Sequence, residues 1–143
     1  MVEPSVIISL DGNGRTYWPG DRLSGDFWLE SATAEEIESI EVSVLWHSEG
    51  KGDEDLHVHH FQRLAGDKAM GVDRRRPARF ETILPNSPLS YDGQIVKIRW
   101  CVRVRAFLAR GREIVGEKIF RLGAVPPARM AAKPSPPTAA AIP

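Results

Sequence analysis

The chain has 143 residues, 42% hydrophobic and 27% charged, which is the composition of one ordinary globular domain. Its 19 basic and 19 acidic residues balance. This argues against a general nucleic-acid binder, because affinity for phosphates comes largely from excess positive charge. The lone cysteine, Cys101, excludes an intrachain disulfide. Without an apolar leader or a run of about 20 apolar residues, we expect a cytoplasmic protein with no membrane span.

Period-2 alternation of apolar and polar residues predicts strands along most of the chain. In residues 37–47, for example, Ile40, Val42 and Val44 share one face, and Glu41 and Ser43 share the other. The predicted strands, in chain order, are residues 6–10, 23–30, 37–47, 56–64, 79–84, 95–108 and 113–122, and 56–64 is predicted to lie near an edge. One face of each is polar, so we predict an all-β, immunoglobulin-like antiparallel sandwich of about seven to eight strands.

Residues 95–108 carry the longest alternating pattern. Apolar residues occupy the even positions, and basic residues occupy most of the odd ones. At about 3.3 Å per residue this strand would span roughly 46 Å. A turn at 109–111 then returns the chain along residues 113–122. The sequence therefore predicts a long hairpin with one solvent-exposed face.

The composition changes at Ala124, after which proline and alanine dominate. Such a segment buries too little apolar surface to offset its ordering entropy. We therefore predict a folded domain over residues 1–123 and a disordered tail over 124–143. The prolines at 134–137 are compatible either with a polyproline II ligand or with a plain solvated tail.

Several turn and core residues in the second half of the chain form a recognisable series. They are Phe80, Leu84-Pro85, Pro88-Leu89-Ser90-Tyr91-Asp92-Gly93 and the stretch from Cys101 to Leu108, and upstream of them lies the turn Tyr17-Trp18-Pro19-Gly20-Asp21. In these motifs, and in strand order over residues 5–122, the chain resembles the amino-terminal domain of the arrestin-like superfamily. That group includes visual arrestins, arrestin-domain-containing proteins and retromer subunits.

The resemblance implies an immunoglobulin-like sandwich that acts as a protein-binding adaptor or scaffold. Members usually carry two such sandwiches in tandem, and this chain has room for one. A second chain replacing the missing sandwich in a larger assembly is one option that the sequence leaves open. The Pro-Pro-x-Tyr ligase-docking motif of some members is absent, so ligase recruitment does not carry over.

The basic residues of the long strand are the candidate partner-binding site. They are Lys97, Arg99, Arg103 and Arg105. Such a row is suited to phosphates or a carboxylate-rich peptide. The alternative is that neighbouring strands neutralise it through cross-strand pairs with Glu41, Glu81, Glu113 and Glu117.

A histidine cluster offers a different function. On a regular strand His57 and His59 would project to one face about 7 Å apart, a spacing suited to a shared metal ion. His47 or Asp55 would be the third ligand. The competing hypothesis is therefore a small metal-binding protein or hydrolase that uses His57 and His59.

No catalytic set accompanies these residues. Gly12-Asn13-Gly14 precedes no helical pattern, which argues against a phosphate-binding loop. Basic neighbours would lower the pKa of Cys101, although packing is the commoner role of a strand cysteine. We expect a non-enzymatic domain without cofactor that binds a protein partner, with a homo-oligomer as one option. Binding would use a free sheet edge or the basic strand face.

Overall fold

A computed structural model of the protein describes residues 3–50, 52 and 54–124. Nine strands and three single turns of 3-10 helix make up this part of the chain. The strands are β1 Ser5–Leu10, β2 Thr16–Tyr17, β3 Arg22–Glu30, β4 Ile37–Gly50, β5 Leu56–Ala65, β6 Ala78–Ile83, β7 Tyr91–Asp92, β8 Val96–Leu108 and β9 Arg112–Leu122. None of the helical turns in this part is long and apolar enough to cross a membrane. The predicted tail lies outside the described residues from 125 onward.

Two sheets form a sandwich-like fold, which confirms the predicted all-β class. The smaller sheet has the order β1-β3-β6, and all of its pairings are antiparallel. The larger sheet has the order β2-β9-β8-β4-β5, with β7 pairing beside the start of β8. Its one parallel pairing is the short contact of β2 with β9. The predicted hairpin is β8–β9, and the predicted edge strand is β5.

The core lies between the two sheets and is built by the alternation read from the sequence. Val42 and Val104, paired across β4 and β8, are fully buried on the inner face of the larger sheet. Phe27 from the smaller sheet is also fully buried and lies 6.4 Å from the Phe80 ring. Burying a side chain of this size contributes roughly 1.5–3 kcal/mol. The inward apolar stripe is therefore the main source of stability.

The motif residues that resemble the arrestin-like pattern bring distant turns together. The Gly20 N–H donates to the Leu84 carbonyl at 3.0 Å, and the Leu84 N–H donates to the Asp21 carbonyl at 2.9 Å. The buried Trp100 satisfies its indole N–H by donating to the Pro88 carbonyl at 2.8 Å. These hydrogen bonds attach the 17–21 turn and the 84–88 segment to the sandwich. The motif residues therefore have a structural role.

A second pair of hydrogen bonds fixes the end of the β8–β9 hairpin. The Ser90 N–H donates to the Leu122 carbonyl at 2.7 Å, and the Leu122 N–H donates to Ser90 Oγ at 2.8 Å. Both residues are buried. The chain between β6 and β8 is thereby held against the last residue of β9.

The structure differs from the sequence prediction at two connections. Residues 32–36, between the predicted strands 23–30 and 37–47, contain a turn of 3-10 helix at Ala34–Glu36. The Thr33 N–H donates to the Glu36 carboxylate there at 3.0 Å, which satisfies a free helical N–H group. Strand β4 also continues to Gly50, three residues beyond the predicted end at His47, because it keeps pairing with β8 up to Val96.

Candidate interaction surface

The candidate site lies on the outer face of the larger sheet, which we define as the face turned away from the smaller sheet. In β8, Val102 and Val104 point inward and are fully buried. The alternating residues of the same strand point outward, and they include all four basic candidates. This alternation places all four basic residues on one face, as the sequence predicted. They are Lys97, Arg99, Arg103 and Arg105.

Two of these arginines are paired across the hairpin. Arg103 Nε donates to Glu117 Oε2 at 2.6 Å. Arg105 Nε lies 2.9 Å from Glu113 Oε2, although the angle does not make a hydrogen bond from that nitrogen. The arginine side chains are 27% and 43% exposed, so each pair is worth about 1 kcal/mol or less. Cross-strand neutralisation by Glu113 and Glu117 is thus observed.

The other two basic residues have looser partners. Lys97 Nζ lies 3.7 Å from Asp92 Oδ1 on β7, and Arg99 Nε lies 3.5 Å from Glu49 Oε1 on β4. Every member of the row therefore has an acid within 4.0 Å. The row is an ion-paired surface, and a ligand would have to compete with these acids.

The other two predicted acidic partners contact different arginines. Glu41 lies 3.8 Å from Arg63 on β5. Glu81, on β6 of the smaller sheet, lies 3.9 Å from Arg22 of β3. Strand order separates Glu81 from the basic row, because β6 belongs to the smaller sheet. Glu41 lies between Arg105 on β8 and Arg63 on β5, and its carboxylate is close to Arg63.

Cys101 divides the basic row and is itself buried. Burial raises the pKa of its thiol to about 11, and Glu117 adds to the increase while Arg103 opposes it. The predicted lowering of this pKa by basic neighbours is therefore wrong. Desolvation of the thiolate outweighs one partly neutralised cation.

Beside Cys101, the outer face is apolar toward the β5 edge. Leu56, Val58 and Phe61 of β5 are 49%, 52% and 54% exposed. They form one side of a shallow groove of about 190 Å³, with the buried Leu45 of β4 at its floor and Glu41, Ser43, Arg103 and Arg105 as its polar side. The sequence identified β5 as an edge strand, but its outward apolar residues were missed. The sequence signal for these outward residues is the alternation of Leu56 and Val58. Phe61, three positions after Val58, does not fit the same alternation.

A bulge explains that change of phase and also disrupts the predicted histidine pair. His60 pairs with Val44 and Val58 pairs with Leu45, so His59 is the extra residue between them. The period-2 argument for His57 and His59 therefore does not apply across this position.

The histidine rings have other contacts. His57 stacks on Trp46, with ring centroids 4.4 Å apart. His59 Nε2 lies 2.8 Å from the Ile83 carbonyl, and its ring meets Trp100 edge-on. Across residues 3–50, 52 and 54–124, no three His, Cys, Asp or Glu side chains are placed to hold one metal ion. The trio that the metal hypothesis needs is thus not assembled from this part of the chain.

The geometry defines a two-sheet β-sandwich with an ion-paired strand face and an apolar edge. No protein-family model matches the sequence, and no curated protein matches it. The structure is similar to that of Spo0M, a sporulation control protein from Bacillus subtilis, with a TM-score of 0.62 and 14% sequence identity. This match covers 87% of the chain and 51% of the Spo0M chain, so the chain spans about half the length of Spo0M.

A second similarity is to a superoxide reductase (neelaredoxin) from Ignicoccus hospitalis, with a TM-score of 0.53 and 11% identity. It covers 83% of this chain and 80% of that one. At such identities both matches show the fold alone. Spo0M has an arrestin-like fold, and the chain is structurally similar to Spo0M.

Proposed function

We propose that this domain is a non-enzymatic protein-interaction module, an adaptor or scaffold of the cytoplasm, that binds its partner along the outer side of β5. One observation carries the proposal. β5 pairs with β4 on one side, and within the described residues no strand pairs with its other side. Beside this free edge lie the exposed side chains of Leu56, Val58 and Phe61.

A free strand edge presents backbone N–H and C=O groups that an extended segment of another protein can pair with. Natural edge strands are often protected by lysine, proline or a bulge. β5 contains neither lysine nor proline, and its bulge at His59 leaves residues 60–65 in regular register with β4. The apolar groove next to the edge supplies positions for alternate side chains of the added strand. Backbone pairing would give affinity, and the groove would give selectivity.

The ion-paired row supports the edge over the basic face. A partner bound at Arg103 or Arg105 would have to compete with Glu117 or Glu113, which already form ion pairs with those cations. The exposed apolar side chains of β5 carry no such competitor. The row borders the groove beside them, since both arginines line it. We therefore assign the row a role in limiting which partners approach.

Photo-crosslinking would identify the partner. A photoreactive residue placed at Leu56 in the full chain should capture a defined protein, and binding would then be measured with that protein purified. We expect Val58→Lys combined with Phe61→Glu to weaken binding at least tenfold. Ile119→Glu is the matched control, because Ile119 is 62% exposed on the outer face but lies on β9, away from the edge.

Unchanged affinity in a Val58→Lys/Phe61→Glu protein with a native circular dichroism spectrum would refute the edge site. Light scattering addresses the case in which the partner is a second copy. A wild-type dimer that the double substitution converts to a monomer would place that copy at β5. A dimer that survives the substitution would assign self-association to another surface.

A further inference from the structure

The free edge of β5 presents its outward side chains in a defined order. From the start of the strand these residues are Leu56, Val58, Phe61 and Arg63, which pair in the same order with His47, Leu45, Ser43 and Glu41 of β4. All four β5 residues are exposed. The outer side of the edge therefore changes from apolar to cationic along its length.

Arg63 is the last member of a series of alternating charges that crosses the outer face. Glu113 Oε2 on β9 lies 2.9 Å from Arg105 Nε on β8. On β4, Glu41 pairs with Arg105 on one side and with Arg63 on the other. The series runs negative, positive, negative, positive, and it ends with a cation at the free edge.

The cation at this end is open to a further acid. The Arg63 side chain is 56% exposed, and its Nε lies 3.8 Å from Glu41 Oε2. Among the described residues no other carboxylate lies within 4.0 Å of Arg63, so its neutralisation comes from the β4 side alone. An acidic residue on an added strand would continue the alternation, because opposite charges that face each other across strands attract.

The neighbouring positions call for apolar residues instead. An apolar line crosses the outer face by successive pairings of Val58, Leu45, Cys101 and Ile119. Val58 ends this line at the edge and is 52% exposed, and Phe61, the next outward residue, is 54% exposed. Apolar residues of an added strand would remove these two side chains from water, which is favourable.

The bulge at His59 sets the spacing that a partner needs. β5 takes five residues to advance from Val58 to Arg63, whereas β4 covers the same span in four, from Leu45 to Glu41. A regular strand beside β5 would therefore present its matching residues at every second position, as β4 does. An antiparallel strand, whose pairing is the more stable per residue, would reach Arg63 before Phe61 and Val58.

We propose that the partner of the β5 edge is an extended, antiparallel segment in which an acidic residue is followed, at alternate positions, by two apolar residues. This proposal rests on the proposed function, since it requires β5 to be the binding edge. The acid pairs with Arg63, and the apolar residues pack on Phe61 and Val58. The residues between them face the inner side, where β5 presents His60 and Gln62, so polar spacers fit there.

The test is a titration of the isotope-labelled full chain with short peptides, followed by nuclear magnetic resonance at low salt. The probe is acetyl-Ser-Glu-Thr-Val-Thr-Val-Ser amide, and two variants of it carry Gln or Lys in place of Glu. A reversed peptide, acetyl-Ser-Val-Thr-Val-Thr-Glu-Ser amide, keeps the composition but places the acid last. We expect saturable shifts at the amides of Phe61, Gln62 and Arg63. Affinity should fall in the order Glu, Gln, Lys, and the reversed peptide should bind more weakly than the probe.

Substitutions of Arg63 test the charge pair directly. Arg63→Gln should weaken binding of the Glu peptide about two- to fivefold, as expected for one facing charge pair, and should abolish its advantage over the Gln peptide. Arg63→Glu should reverse the order, so that the Lys peptide binds best. Arg22→Gln is the matched control, because Arg22 is also exposed and lies 3.9 Å from Glu81, but on the smaller sheet. It should bind every peptide like the wild type.

Equal affinity of the Glu, Gln and Lys peptides, with shifts at β5, would overturn the acidic partner and leave the edge site in place. A loss in Arg22→Gln equal to that in Arg63→Gln would also overturn it, because the effect would then be one of overall charge. Absence of shifts at β5 would overturn it as well. In that case capture of a protein by the photoreactive residue at Leu56 would show that the edge binds a segment of different chemistry, and failure of the capture would count against the edge itself.

Discussion

Replacing Ser90 by alanine tests whether the hydrogen bond between the 84–92 segment and β9 stabilises the sandwich. The Ser90 hydroxyl accepts the Leu122 N–H at 2.8 Å, and both residues are buried. The substitution leaves a buried N–H without its partner, which costs about 1–3 kcal/mol. At a typical urea m-value of about 2 kcal/mol/M, a loss of 2 kcal/mol lowers the unfolding midpoint by about 1 M.

Urea unfolding followed by tryptophan fluorescence measures this change. Ser87→Ala is the control, because Ser87 is exposed and surface substitutions usually change stability by about 0.5 kcal/mol or less. The m-value should be the same in both variants. A Ser90→Ala midpoint equal to that of Ser87→Ala would show that the bond carries no net stability and would refute the reasoning.

Three further predictions concern packing, thiol chemistry and acid stability. Gly116→Ala should cost about 1–3 kcal/mol in urea unfolding, because a Cβ there would lie 2.8 Å from Val6 Cβ and 3.0 Å from the Val6 carbonyl oxygen; an unfolding midpoint equal to that of the wild type would contradict the clash. Cys101 should resist thiol reagents at pH 8 until the protein is unfolded, since its pKa of about 11 keeps it protonated; rapid native labelling would disprove this. The hydrogen bond from Arg79 is the main cause that lowers the pKa of Asp11 below the usual 3.8. The ionised Asp11 therefore stabilises the folded protein above pH 3.8, and this stabilisation is lost as the pH falls through the lowered pKa. The stability gap between wild type and Arg79→Gln should therefore narrow in acid, and a constant gap from pH 7 to 3 would exclude the linkage.

Much of the sandwich was readable from local pattern. The alternation that placed Val42 and Val104 inward was correct, because successive side chains on a strand must point to opposite faces. The hairpin of β8 and β9 was also predictable, since a short turn joins two alternating segments. The row of basic residues on one face of β8 follows from the same periodicity.

The candidate site was harder to predict from the sequence than the fold. Which acid neutralises Arg103 depends on β9 being its neighbour and on the register that sets Glu117 opposite it. The bulge at His59 moved Phe61 onto the same face as Val58, which strict alternation would forbid. Strand order leaves no mark in a single strand's pattern, and the bulge left only the change of phase between Val58 and Phe61.

Local sequence pattern was enough to show which segments are extended and which face of each is apolar, because those properties depend on nearest neighbours along the chain. Contacts across strands, and between chain segments distant in sequence, arise only in the folded molecule. Folding buried Cys101 enough to raise its thiol pKa and paired every cation of the outer-face row. Charge pairing and desolvation depend on distances through space, and those are fixed only when the sheets assemble.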